Sequence, residues 1–238
     1  MHQDERQAAL ALLTSGEIEV KGRMPWSSNA TFLADVRCGD DAMRAIYKPL
    51  RGERPLWDFP NGLYRREIAA YVLSDLLGWG IVPETVARGD DAPLGEGSLQ
   101  RFVPADFEQH YFTLYEDESN HDQLRRVAAF DVVANNTDRK SGHCLVTPDG
   151  HIWGIDNGLC FSVDWKVRTV VWEFGAEPLP DAIAADLTAL LDALPGGLEA
   201  FLDDDEIAAI VDRTEELLAE GVFPLPDPYG RAYPWPLV

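Results

Sequence analysis

The chain has 238 residues, 46% apolar and 10% aromatic, which is enough for a buried core and unlike a disordered sequence. Its 41 acidic and 20 basic residues give a formal charge of −21, which opposes binding to nucleic acid or to an anionic membrane surface, and no long basic run offsets it. No apolar run reaches the roughly 18 residues of a membrane span, and the apolar part of the charged N-terminal segment is too short and Ala-rich to resemble a signal peptide.

This length predicts one large domain or a small bilobal one. Cys38, Cys144 and Cys160 are odd in number and lack metal-site spacing, which fits a reducing cytoplasm. Cys144 and Cys160 lie in apolar strand contexts and are expected to pack as small hydrophobes. The 16 Arg against 4 Lys, with abundant Ala and Asp, suggest a GC-rich bacterial genome.

In chain order, helical spacing predicts a helix over 5–15 that stops at Gly16. Strands are expected over 17–20 and 32–37, joined by a turn containing Ser27, Ser28 and Asn29. Such a turn of small polar residues is either an ordinary hairpin turn or an anion-facing loop. A strand over 43–48 ends at Lys48, followed by Pro49; a lysine there commonly extends to solvent. Residues 50–62 read as loop, and 63–77 as a helix stopped by Gly78, with Glu67 one turn in as either a solvated or a functional carboxylate. Strands are expected over 80–86 and 98–103. A nearly all-round apolar helix over 120–134 implies burial.

The most informative stretch is 135–161, NNTDRKSGHCLVTPDGHIWGIDNGLCF. Two apolar runs, 143–147 and 151–155, flank Pro148-Asp149-Gly150 and read as a β-hairpin. Asp138 precedes its first strand and Asp156 follows its second, so the hairpin carries two carboxylates to one end of a sheet. Phosphoryl transfer uses such a pair, one carboxylate orienting the accepting hydroxyl and the other holding a metal against ATP phosphates. The order along the chain is that of a kinase. A lone Asp-Asn-Gly is only turn chemistry, but Asn136-Thr137-Asp138-Arg139 and Gly154-Ile155-Asp156-Asn157-Gly158-Leu159 occur together here.

The stretch resembles the catalytic core of type II phosphatidylinositol 4-kinases, which carry NTDR, a short interval, then AIDNGLAF. It is more distantly similar to the wider phosphatidylinositol 3-/4-kinase group and to HipA-type kinases. The resemblance implies an α+β fold of two lobes: a small antiparallel-sheet lobe over 1–103 and a mainly helical lobe over 104–238. It implies ATP with Mg²⁺ or Mn²⁺, Asp138 as catalytic base and Asp156 as metal ligand. It strengthens the anion-facing reading of Ser27, Ser28 and Asn29, and assigns Lys48, in a Lys-Pro pair like the family's, to the α/β-phosphates with Glu67 holding it. By chain order alone, backbone groups of Gln100, Phe102 and Val103 meet adenine.

One position departs. Five residues after the catalytic Asp these kinases place an Asn that binds metal; here His143 stands there. It either ligates metal, which imidazole does better for Mn²⁺ than for Mg²⁺, orients a phosphate, or weakens a second metal site. The stretch after Gly158, with Trp165, Lys166 and Arg168, is where an acceptor would dock, and 169–172 reads as a short strand. Helices over 179–194 and 203–220 follow; the Asp203–Glu206 acids suit a helix N-terminus better than a metal site. A Pro-rich tail, 224–238, is expected to wrap the second lobe.

Three functions compete: an active phosphotransferase; a weak or inactive nucleotide-binding relative acting as a regulatory module; and a metal-dependent hydrolase using Asp138, His143 and Asp156, which needs neither Lys48 nor the hairpin order. The acceptor is expected to be a soluble protein or small molecule rather than a bilayer phosphoinositide, because the acidic chain lacks a polybasic run or an acylation cluster.

Overall fold

The computed structural model describes residues 3–25 and 29–238. Helix α1 (Gln3–Ser15) precedes strands β1 (Glu17–Arg23), β2 (Phe32–Cys38) and β3 (Asp41–Pro49); helix α2 (Leu63–Leu76) leads to β4 (Thr85–Arg88) and β5 (Gly97–Arg101). The five strands form one antiparallel sheet in the order β1-β2-β3-β5-β4. Alternation along β3 places Ala45 and Tyr47 in a core with Leu12, Leu13, Ala34, Val36 and Leu99, and leaves Ile46 and Lys48 for the opposite face. Gly97 pairs with Pro49, and a Cβ there would stand 2.4 Å from the Lys48 carbonyl oxygen. Only glycine lets β5 approach the Lys48 end of β3 this closely.

The second half is mainly helical: α3 (Tyr111–Tyr115), α4 (His121–Val133), α5 (Asp181–Ala193) and α6 (Asp204–Glu220), with a small hairpin of β6 (Cys144–Val146) and β7 (Ile152–Gly154). Helix α4 is buried along most of its length, as its all-round apolar sequence requires, and packs beneath β7. Cys144 and Cys160 are both fully buried. Asp203 caps α6 by accepting from the Glu206 N–H at 2.9 Å, in a capping box worth about 1 kcal/mol. The acid cluster is therefore structural. The tail crosses beneath Ser141 and Thr169: Leu237 accepts from Ser141 N–H at 2.8 Å and Ala232 from Thr169 N–H at 3.1 Å.

Three expected strands differ from the structure. Residues 80–84 lie outside β4, with the Ile81 carbonyl accepting from Gly154 at 2.8 Å and the Val82 N–H donating to Ser74 Oγ at 3.1 Å. Their apolar pattern reports core burial rather than ladder pairing. Phe102 and Val103 lie beyond β5, where Pro104 follows. Residues 169–172 make one isolated bridge, Arg139 to Thr169, because successive amides turn to different partners: Ala232, Arg139 and the Thr169 side chain. No helix among the described residues is long and apolar enough to cross a membrane.

Candidate active site

Lys48 reaches from the cleft face of β3 to two carboxylates. Its Nζ donates to Glu67 Oε1 and, at 2.7 Å, to Asp156 Oδ1. Glu67 is 3% exposed, so it is the buried carboxylate of α2 and not a solvated one. The other charged groups of that helix are engaged elsewhere, Arg65 with Tyr64, Arg66 with Glu206 and Asp75 with Arg6. The N-terminus of α2 is held from a distance: Glu53 accepts from the N–H groups of Gly62 (2.9 Å) and Tyr64 (2.7 Å), replacing the missing local cap. Burial works against the charge on Lys48, but Asp156 and Glu67 outweigh it and raise the ammonium's pKa. Lys48 in turn holds Asp156 well below the usual carboxylate range.

The hairpin sets the second carboxylate. Asp156 has φ 59°, Asn135 φ 49° and Phe161 φ 67°, so left-handed backbone marks both ends of the motif. Asn and Asp tolerate that region; for bulky Phe161 it is strained by about 1–3 kcal/mol, held by full burial and a 2.7 Å bond from its N–H to Ala134. Gly158 passes over α2, where a Cβ would stand 3.1 Å from Glu67 Oε1. The neighbouring Asn157 N–H donates to Glu67 Oε2 at 3.1 Å. Glu67 thus binds both Lys48 and the segment that carries Asp156.

Beneath this, Arg139 is fully buried and organises the loop. It pairs with buried Asp131 of α4 (Nη2 to Oδ1 2.9 Å) and donates to the Ile155 carbonyl (2.8 Å) and to Asn157 Oδ1 (2.8 Å). Asp131 also accepts from Asn136 Nδ2 (3.0 Å) and Thr169 Oγ1 (2.9 Å). Four pieces of chain meet at one ion pair. Asp138 projects into the cleft, its N–H bonded to Asn136 Oδ1 at 3.0 Å and its Oδ2 accepting from Lys140 Nζ at 2.9 Å. Burial raises the pKa of Asp138 despite Lys140.

His143 faces Asp156 Oδ2 with Nε2 at 3.5 Å, and its Nδ1 accepts from the Lys140 N–H at 3.4 Å. Burial pushes its pKa down to about 4, so the ring is neutral at pH 7. With Nδ1 accepting, the proton sits on Nε2 and points at Asp156. In this tautomer the ring offers a donor, not a lone pair, toward the carboxylate. Among the described residues no group of three or more His, Cys, Asp or Glu side chains is placed to hold a metal by itself.

Two cavities meet at Lys48 and Asp156. One, about 220 Å³, is lined by Ile46, Gln100, Phe102, Val103, Leu145 and Ile155 and is mainly apolar. The other, about 270 Å³, is the more polar of the two and is lined by Asn29, Thr31, Arg54, Glu67, Asp138 and Gly158 together with Leu56, Leu63 and Leu159. The structure therefore brings Lys48, Glu67, Asp138, His143 and Asp156 to one cleft, with Gln100, Phe102 and Val103 on its apolar side. Asn29 lines the polar side while its Oδ1 accepts from Arg54 N–H at 3.0 Å. Ser27 and Ser28 lie outside the described residues. Sequence reasoning missed Lys140, whose signal was its place two residues after Asp138. It also missed Asp131, Arg139 and Asn157 as a set, because a charge on an apolar helix and a turn Asn carry no pairing information.

The chain is 40% identical over 264 residues to Protein Rv2133c of Mycobacterium tuberculosis, an alignment covering 95% of this chain and 94% of that protein. No protein-family model matches it. Among solved structures it is similar to the Golgi casein kinase with Mn and ADP bound (TM-score 0.57, 14% identity, covering 100% of this chain and 81% of that one). It is also similar to hydra Fam20 with sugar (TM-score 0.56, 14% identity, covering 92% and 89%). The α+β fold, an antiparallel-sheet lobe followed by a helical lobe, is kinase-like.

Proposed function

The chain belongs to the family of Protein Rv2133c, and we propose that it is an ATP-dependent phosphotransferase acting with a divalent metal on the hydroxyl of a soluble protein or small molecule. The observation that carries this is Lys48 held between Glu67 and Asp156, with Asp138 across the same polar cavity. A metal-dependent hydrolase does not need a lysine gripped by a helix carboxylate, whereas a kinase uses one to hold the ATP phosphates. The likeness of residues 135–161 to type II phosphatidylinositol 4-kinases supports the same reading.

The apolar cavity takes the adenine ring against Ile46, Leu145 and Ile155, with the backbone of Gln100, Phe102 and Val103 alongside. Lys48 binds the α/β-phosphates, exchanging its bond to Asp156 for phosphate oxygens while Glu67 keeps it in place. A divalent metal, held by Asp156 together with phosphate oxygens and water, would neutralise charge on the phosphates. This donor set fits such an ion, because Oδ2 of the half-exposed Asp156 is not engaged by Lys48. His143 steadies Asp156 or donates to a phosphate. Asp138 takes the acceptor's proton as the acceptor oxygen bonds to the γ-phosphorus and the bond to the β-phosphate oxygen breaks, releasing ADP. Lys140, two residues on, faces the developing charge on the transferred group.

The regulatory alternative, nucleotide binding with little turnover, rests on His143 in place of the usual Asn. ATP with Mg²⁺ or Mn²⁺ is expected to raise the melting temperature, and Lys48→Ala and Asp156→Ala each to abolish most of that shift. Asp138→Asn should keep the shift and lose ADP formation. If both binding variants shift like wild type, the nucleotide site is elsewhere; a shift without ADP formation in the wild type leaves the regulatory reading.

A further inference from the structure

Beneath the segment that follows Asp156 lies another cavity, of about 520 Å³, lined by Trp165, Arg213, Leu217, Phe223, Pro224 and Leu225 among others. It shares no lining residue with the two cavities of the cleft. Its walls are apolar apart from Arg213 and two exposed glutamates of α6, Glu216 and Glu220.

Arg213 is 6% exposed. Its Nε donates to the Val133 carbonyl at 2.9 Å and its Nη1 to the Ser162 carbonyl at 3.2 Å, while Nη2 is buried without a partner. The two other buried arginines, Arg66 and Arg139, each meet a carboxylate. Among the described residues none pairs with Arg213, and the adjoining Asp212 is exposed. A buried cation without a counter-charge is destabilising, and burial correspondingly pushes this guanidinium down to about 10. An unneutralised, incompletely bonded cation in the wall of an apolar cavity calls for an anion with an apolar body.

We propose that this cavity binds a small amphipathic carboxylate. The carboxylate neutralises Arg213, and the apolar body lies against Trp165, Leu217, Phe223 and Leu225. The volume is in the range of small-molecule sites, about 300–1,000 Å³. Glu216 and Glu220 select against polyanions such as nucleotides, leaving a single negative charge as the acceptable one. The site is wired to the catalytic stretch. The Ser162 carbonyl that accepts from Arg213 also accepts from Asn135 Nδ2 at 2.8 Å, and Asn135 Oδ1 accepts from the Lys166 N–H at 2.9 Å. Occupancy therefore bears on residues 162–166 and on the loop leading to Asp138, whatever reaction the cleft performs.

Decanoate is the probe and decanol its uncharged control, both titrated calorimetrically into the full chain. A charge-assisted bond to a buried arginine is worth about 10–100-fold in affinity, so decanoate should bind at least tenfold more tightly than decanol. Arg213→Met should erase that difference. Leu225→Glu, at an exposed rim position, puts a charge against the apolar body that both probes share and should weaken each about tenfold. Trp165→Phe should remove the ligand-induced change in tryptophan fluorescence. Equal affinity for the two probes in the wild type, or decanoate binding unaltered by Leu225→Glu, overturns the proposal, and the second result stands even if Arg213→Met does not fold.

Discussion

Arg139→Met removes one partner of the ion pair on which the catalytic stretch rests. Arg139 and Asp131 are both fully shielded from solvent, and Arg139 donates to Asp131, Ile155 and Asn157 at once. After the substitution Asp131 keeps only Asn136 and Thr169 as donors, and its charge is uncompensated. Breaking a buried pair from one side costs about 3–5 kcal/mol. For a chain of this size each kcal/mol shifts the melting temperature by about 2–4 °C, so a fall of about 6–20 °C is expected. Asp131→Asn alone should be comparably damaging, since it strands the guanidinium. The double variant removes both charges and should be less destabilised than the sum of the singles by about 2 kcal/mol. Urea unfolding of the four proteins, with midpoints compared at equal slope, provides the measurement. A loss below about 1 kcal/mol for Arg139→Met, or simple additivity in the double variant, would refute the view that this pair carries the loop.

His143 gives a pH signature. Its folded pKa is about 4 against about 6.5 in the unfolded chain, so the unfolded state takes up the proton first and stability falls as pH drops from about 6.5 to about 4, by about 3 kcal/mol in full. His143→Asn should flatten that limb in urea unfolding of the metal-free protein; parallel wild-type and variant profiles would rule it out. Because its Nε2 carries the proton, the same variant should leave the Mg²⁺ to Mn²⁺ preference of ATP binding unchanged, and a move toward Mg²⁺ would instead make His143 a ligand. Gly158→Ala should lower ATP affinity, because its Cβ would stand 3.1 Å from Glu67 Oε1, the oxygen that holds Lys48; wild-type affinity would show that the segment yields freely. Vesicles containing phosphoinositides should retain little protein at low salt, given a charge of −21, and strong retention with phosphate incorporated into the lipid would overturn the soluble acceptor.

Much of this architecture is local and was readable as such. Period-two alternation located β2, Pro-Asp-Gly marked the β6–β7 turn, and Asp203 to Glu206 announced the start of α6. The spacing of Asp138 and Asp156 around that hairpin already placed the two carboxylates together, because a hairpin brings its two ends together whatever the rest of the chain does. The errors arose where apolar residues were buried without pairing, as at Ile81 and Val82, whose backbone groups bond to the hairpin and to Ser74. Periodicity reports burial, and only the partner decides whether a buried segment is a strand.

What the sequence determined by itself was the pair of carboxylates, the candidate lysine and the apolar helix beneath them. The resemblance named Glu67 as the carboxylate that holds the lysine, but composition and helical spacing alone did not separate it from Asp75. Glu67 and Asp75 are equivalent helix acids in sequence; Glu67 is buried against Lys48 and Asn157, while Asp75 pairs with Arg6. The structure likewise decided that Arg139 lies inside with Asp131, and that Arg213 lies inside with no carboxylate. Residue type states a charge. Its free energy depends on solvent exposure and on a counter-charge that stands tens of residues away in the chain, and only the folded chain sets both.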